Sequence, residues 1–145
     1  MARDEHSSQV KVDLYRLLGS AKDERLARRA LELALTDEVG ATNSSQIFGA
    51  VAGQHPDLAF DFAVAHRQQV EAFVDASSRS RFFAQLGGGS ADPAMVDKLN
   101  DYAAHYLTPQ SRASVDRSIS SIRDRIRVRR ERLPQIIRWL AAWRG

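Results

Sequence analysis

Residues 112–133 read RASVDRSISSIRDRIRVRRERL. Val115, Ile119, Ile122, Ile126 and Leu133 recur at steps of 4, 3, 4 and 7. That spacing lines one face of an α-helix, whereas a strand would alternate at every second residue. Thr108-Pro109 opens this helix, the longest in the chain. Pro134 should stop or kink it, because proline lacks a backbone donor and its ring clashes with the preceding turn. The closing segment, 135–143, is then expected to bury Ile136, Leu140 and Trp143. Trp139 and Trp143, one turn apart, most simply cap a terminal core.

The same periodicity extends through the rest of the chain. A first helix is expected over 8–18, with Val12, Tyr15 and Leu18 aligned, and Gly19-Ser20 ends it. Asp23 begins a second helix that runs to Leu35 and turns Leu26, Ala30, Leu33 and Ala34 inward. A loop follows over 36–43. Ser44 or Ser45 suits the N-cap of a short helix over 46–52, since its side chain can accept from an unpaired backbone N–H. Pro56 fits the first turn of a long helix to Val74, where no donor is needed. Further helices are expected over 79–86 and 93–107, joined by the glycine loop at 87–89. Tyr102 and Tyr106 fall one turn apart as core residues. Gly19, Gly53 and Gly87 are 34 residues apart, each at the end of an apolar helix. The fold class is therefore all-α, and the glycine spacing marks antiparallel helix pairs stacked side by side as an α-solenoid. Residues 12–145 form a single helical domain, preceded at 1–11 by a disordered or appended tail.

Charge divides the chain. The net charge of 145 residues is only +3, so uniform polyelectrolyte behaviour is excluded. Residues 112–144 nevertheless carry ten arginines against Asp116, Asp124 and Glu131, a net of +7, and residues 1–111 carry −4. At 100° per residue, Arg112, Arg123, Arg127 and Arg130 fall in a stripe beside the apolar face. Arg125 and Arg132 fall on the opposite flank. Planar guanidinium groups in such a row can hold carboxylates by paired hydrogen bonds. A solvated helix face with i, i+4 ion pairs explains the same residues. Hydrogen-bonded surface roles are the default for His66 and Arg67.

The chain is poor in catalytic motifs. It has no cysteine, which excludes disulfides and thiolate ligands. None of His6, His55, His66 and His105 has a second histidine four residues on, so the helical His-Glu-x-x-His zinc motif is absent. Gly87-Gly88-Gly89-Ser90 lacks the lysine ending of a phosphate loop, and no Gly-x-Ser-x-Gly elbow occurs. No catalytic or metal residue and no cofactor is expected in this chain. No apolar run reaches the roughly 20 residues of a membrane span, and Met1 to Val10 shows no secretory h-region. A membrane partner is not expected.

Several runs are familiar together. They are Tyr15-Arg16-Leu17-Leu18-Gly19, then Leu31-Glu32-Leu33-Ala34-Leu35-Thr36-Asp37-Glu38-Val39, Val51-Ala52-Gly53 and Leu58-Ala59-Phe60-Asp61-Phe62-Ala63. The arginine-rich helix closing in Leu133-Pro134-Gln135-Ile136-Ile137-Arg138-Trp139-Leu140 completes the set. Over about residues 12–143 the chain resembles the C-terminal helical domain of gluzincin zinc aminopeptidases, the puromycin-sensitive and endoplasmic-reticulum types among them. The resemblance implies a non-catalytic end piece of a larger enzyme, with zinc held in an upstream catalytic domain of the same polypeptide. It also implies a bowl of HEAT-like helix pairs over the active site that binds or gates peptide substrates. Arg112, Arg123, Arg127 and Arg130 would then contact peptide or the neighbouring domain. A solenoid cut at its first pair exposes an apolar face, which favours self-association. The alternative is an independent binding module whose basic helix meets nucleic acid or an acidic protein. Nucleic acid is disfavoured by the scarcity of lysine and the absence of interleaved aromatics over 112–132.

Overall fold

The computed structural model describes residues 8–143. Nine α-helices and no strand occur among them: α1 (Ser8–Gly19), α2 (Glu24–Ala34), α3 (Ala41–Gln54), α4 (Pro56–Ala65), α5 (Arg67–Phe73), α6 (Arg79–Gly87), α7 (Pro93–Tyr106), α8 (Ala113–Arg127) and α9 (Leu133–Ala142). Single 3₁₀ turns precede α6 and α8. The all-α reading holds. Helix α1 begins inside the stretch read as an N-terminal tail, and residues 1–7 lie outside the described residues.

Local chemistry sets the helix ends. Asp23 Oδ1 accepts from the N–H groups of Arg25 and Leu26 at 2.8 and 3.3 Å, a side-chain cap on α2. The Arg25 guanidinium and these two backbone N–H groups hold the Asp23 carboxyl below its usual range. Asp92 caps α7 likewise, through Ala94 N–H at 2.9 Å. Helix α3 starts five residues earlier than expected. Gly40 supplies its N-cap at φ +79°, a conformation that other residues rarely adopt. Ser44 is therefore interior, not a cap. Its Oγ lies 2.6 Å from Ala34 O and 3.0 Å from Gly40 O, which ties the end of α2 to the start of α3.

The long helix expected over 56–74 is broken at His66 (φ −111°, ψ 31°). The His66 ring stacks on Phe62, with centroids 4.2 Å apart, and its Nδ1 lies 3.0 Å from Phe62 O. The His66 backbone N–H donates to the same carbonyl at 3.0 Å, so ring and backbone share it where α4 gives way to α5.

One core runs through α1 to α8. Helix α3 packs against α1, α2 and α4, and α6 packs against α4 and α8. Phe48 of α3 is fully buried among Phe62, Phe73 and Phe82, at centroid distances of 6.1, 5.8 and 6.2 Å. Phe83 stacks on Tyr102 at 5.0 Å, and Phe60 meets the Tyr102 edge at 6.1 Å. Val115, Ile119 and Ile122 close the core from α8. Tyr106, expected inside with Tyr102, is exposed. The repeating glycines differ in role. A Cβ on Gly19 would lie 2.8 Å from Ala50 Cβ and 3.0 Å from Ile47 O, so this residue lets α1 approach α3 closely. Gly53 has open space around it.

The end of the chain departs most from expectation. Pro134 does not stop the helical line, but the regular α-helix is interrupted just before it. Residues Val128–Arg132 form a π-helical segment, and Leu133 N–H donates to Val128 O. This wider turn leaves Pro134 in the first turn of α9, where its missing donor costs nothing. Helix α9 then runs out past the body. Leu133, Ile136, Leu140 and Trp143 are 45–73% exposed, so the expected burial of Ile136, Leu140 and Trp143 does not occur. Trp139 and Trp143 stack on each other instead, at 6.1 Å and 17°. Leu17, Leu18 and Leu26 at the opposite end are exposed as well. Leu26 had been expected to face inward with Ala30 and Ala34, which are buried.

Candidate functional site

The arginines of α8 divide into two groups. Arg112, at the helix start, donates through Nε to Asp116 Oδ1 at 3.0 Å and through Nη2 to Asn100 Oδ1. It therefore clamps α8 to α7. Arg127 pairs with Asp124 at 2.6 Å, with both side chains well exposed. Arg123 and Arg130 are exposed and make no ion pair with any described residue. Arg130 lies in the π segment, whose wider turn removes it from the register relating Arg112, Arg123 and Arg127. The accessible members of the stripe are thus Arg123, Arg127 and Arg130.

Arg125, expected on the opposite flank, holds the glycine loop. Its Nη1 donates to Gly88 O at 3.0 Å and to Ser90 O at 2.5 Å. Ser90 is buried, donates to Asp57 Oδ1 at 2.9 Å and accepts from Asp92 N–H at 3.0 Å. This places the loop between α6 and α7 against the start of α4. Ser90 has a carboxylate partner but no histidine between them, so the pair is a structural clip and not an activated nucleophile.

Sequence reading missed a band of grooves along α4. One groove, of 590 Å³, is lined by Glu24, Arg28, His55, Asp57, Asp61 and His66 among others. His55 Nε2 lies 3.0 Å from Ala21 O, which spans 34 residues of chain. A second groove, of 440 Å³, lies between α4 and α7 and shares Asp61. Lys98 Nζ pairs with Asp61 Oδ2 at 2.7 Å where the two meet. Tyr102 and Tyr106 line the second groove, and Arg67 stacks over the Tyr106 ring at 4.3 Å. Arg67 also pairs with Glu71 at 2.5 Å, and that bond raises the guanidinium pKa. Burial, with the Glu71 carboxylate adding to it, pushes the Tyr102 phenol up to about 12. Tyr102 is therefore a neutral donor at ordinary pH.

The band mixes charge of both signs with aromatic edges. Among the described residues no group of three or more His, Asp or Glu is placed to hold a metal ion. The Lys98–Asp61 pair carried no local signal, since only the folding of α7 beside α4 brings the two residues together.

A family model described as "ERAP1-like C-terminal domain" matches residues 1–124. No curated protein and no solved structure matches the chain. The family match ends within α8, just before the projecting segment.

Proposed function

Because this chain belongs to the ERAP1-like C-terminal domain family, we propose that it is a non-catalytic domain of a zinc-dependent aminopeptidase, one that covers the substrate chamber and helps to bind or gate peptides. The family match over residues 1–124 carries this reading. Among the described residues no cluster fits a zinc site, and in this reading the metal and the chemistry lie in an upstream catalytic domain of the same polypeptide. The helix pairs form a HEAT-like stack. The exposed Leu17, Leu18 and Leu26 at its start offer a face for preceding helices or, in the isolated chain, for a second copy.

Two features support peptide contact. The α4 band presents carboxylates, a lysine and tyrosine edges to one surface. Arg123, Arg127 and Arg130 present guanidinium groups that can hold a peptide carboxylate or dock on the neighbouring domain. The double substitution Arg123→Ala with Arg127→Ala in the full enzyme tests the latter role. Processing of long peptides should fall about tenfold, the cost of one charge-assisted contact. Turnover of single-residue chromogenic substrates should stay unchanged. Equal losses on both substrates would contradict the proposal.

A further inference from the structure

We propose that the projecting helix, residues 128–143, lies on an anionic lipid surface. The inference is independent of the aminopeptidase reading. It starts from an apolar face with no cover. Leu133, Ile136, Leu140 and Trp143 step by 3, 4 and 3 along α9, and each is about half exposed or more. Ile137 and Trp139 flank them at 64% and 62% exposure. Gln135 and Arg138 occupy the other side of the wheel at 100° per residue. Among the described residues, α9 packs mainly against the π segment that joins it to α8, and none of its side chains is buried. The segment is about 22 Å long at 1.5 Å per residue.

Charge selects the occupant. Residues 123–138 carry seven arginines against Asp124 and Glu131, a net of +5. Asp124 is already paired with Arg127. A second copy meeting this helix face to face would cover the apolar side but set its own net-positive segment against the arginines. An anionic bilayer surface meets both needs. Aliphatic side chains enter the acyl boundary, tryptophans sit at the headgroup level and arginines reach the phosphates. No described helix is long and apolar enough to cross a membrane, so the segment would lie on the surface and not span it. The expectation of no membrane partner rested on the lack of a spanning run, and this surface mode does not require one.

The chain provides its own probe. Both of its tryptophans, Trp139 and Trp143, lie on this helix. Titration of the full chain with vesicles should blue-shift its tryptophan emission when phosphatidylserine is mixed with phosphatidylcholine. Binding to phosphatidylcholine alone should be at least about tenfold weaker, and added salt should weaken the anionic binding. Each arginine near an anionic surface contributes about fivefold. Arg129→Gln with Arg130→Gln and Arg132→Gln should therefore cost about a hundredfold. Ile136→Ser with Leu140→Ser should abolish the blue shift. All five positions are exposed and outside the core, so circular dichroism and melting of the body should not change. Three results would each overturn the proposal. They are no binding to anionic vesicles at low salt, a blue shift that grows with protein concentration without vesicles, and tighter binding to duplex DNA than to the vesicles.

Discussion

Between Ala113 and Arg127 the last long helix buries Val115, Ile119 and Ile122 to 5% exposure or less. Between Leu133 and Ala142 the same helical line leaves Leu133, Ile136 and Leu140 about half exposed. Both stretches have apolar residues at steps of three and four. The contrast separates two things that periodicity combines. An amphipathic pattern shows that a helix has a face to cover, but not what covers it. In α8 the cover is α6 and α7. In α9, beyond the π segment and Pro134, no buried side chain marks a covered face.

The sharpest way to break this comparison is to truncate an aromatic on each side of it. Phe48→Ala opens a cavity among Phe62, Phe73 and Phe82, and such losses cost about 3–5 kcal/mol. Trp139→Ala removes an even larger side chain but one that is 62% exposed. Its effect on stability should stay within about 0.5 kcal/mol. Chemical denaturation of both variants checks the difference. Comparable losses would mean that α9 packs on the body after all.

A smaller contrast lies among the arginines. Arg125→Ala removes two bonds to the carbonyls of Gly88 and Ser90. Charged hydrogen bonds of this kind contribute about 1.5–3 kcal/mol, and the glycine loop should show faster amide exchange. Arg129→Ala, on the exposed segment, should change stability by less than about 0.5 kcal/mol. The exchange rates at Gly88 and Ser90 measure whether Arg125 is the clamp.

Much of the body was legible because local chemistry and tertiary packing agree there. Asp23 and Asp92 cap the helices that their side chains predict, and the α8 stripe is buried as its spacing implies. Departures arise where a single residue overrides the pattern. Gly40 at positive φ starts α3 early, and His66, outside helical dihedrals, divides the expected long helix into α4 and α5. Pro134 predicts a stop or a kink because a proline in a regular helix removes a bond, and the π turn relieves that cost. The candidate surface was less legible. A helical wheel can align Arg112 with Arg123, but it cannot show that Asn100 of α7 claims Arg112. Lys98 meets Asp61 across 37 residues of chain, a distance over which no motif operates.

The central distinction is between a self-sufficient body and an outer helix whose apolar face waits for a surface. Thermal unfolding of a chain ending at Arg127, beside the chain of 145 residues, tests it most directly. Removing the projecting helix takes away no buried side chain, so the melting temperature should move by no more than about 2 °C, and unfolding should stay cooperative. A fall of about 8 °C or more, or loss of the cooperative transition, would show that the outer helix belongs to the core and contradict the account.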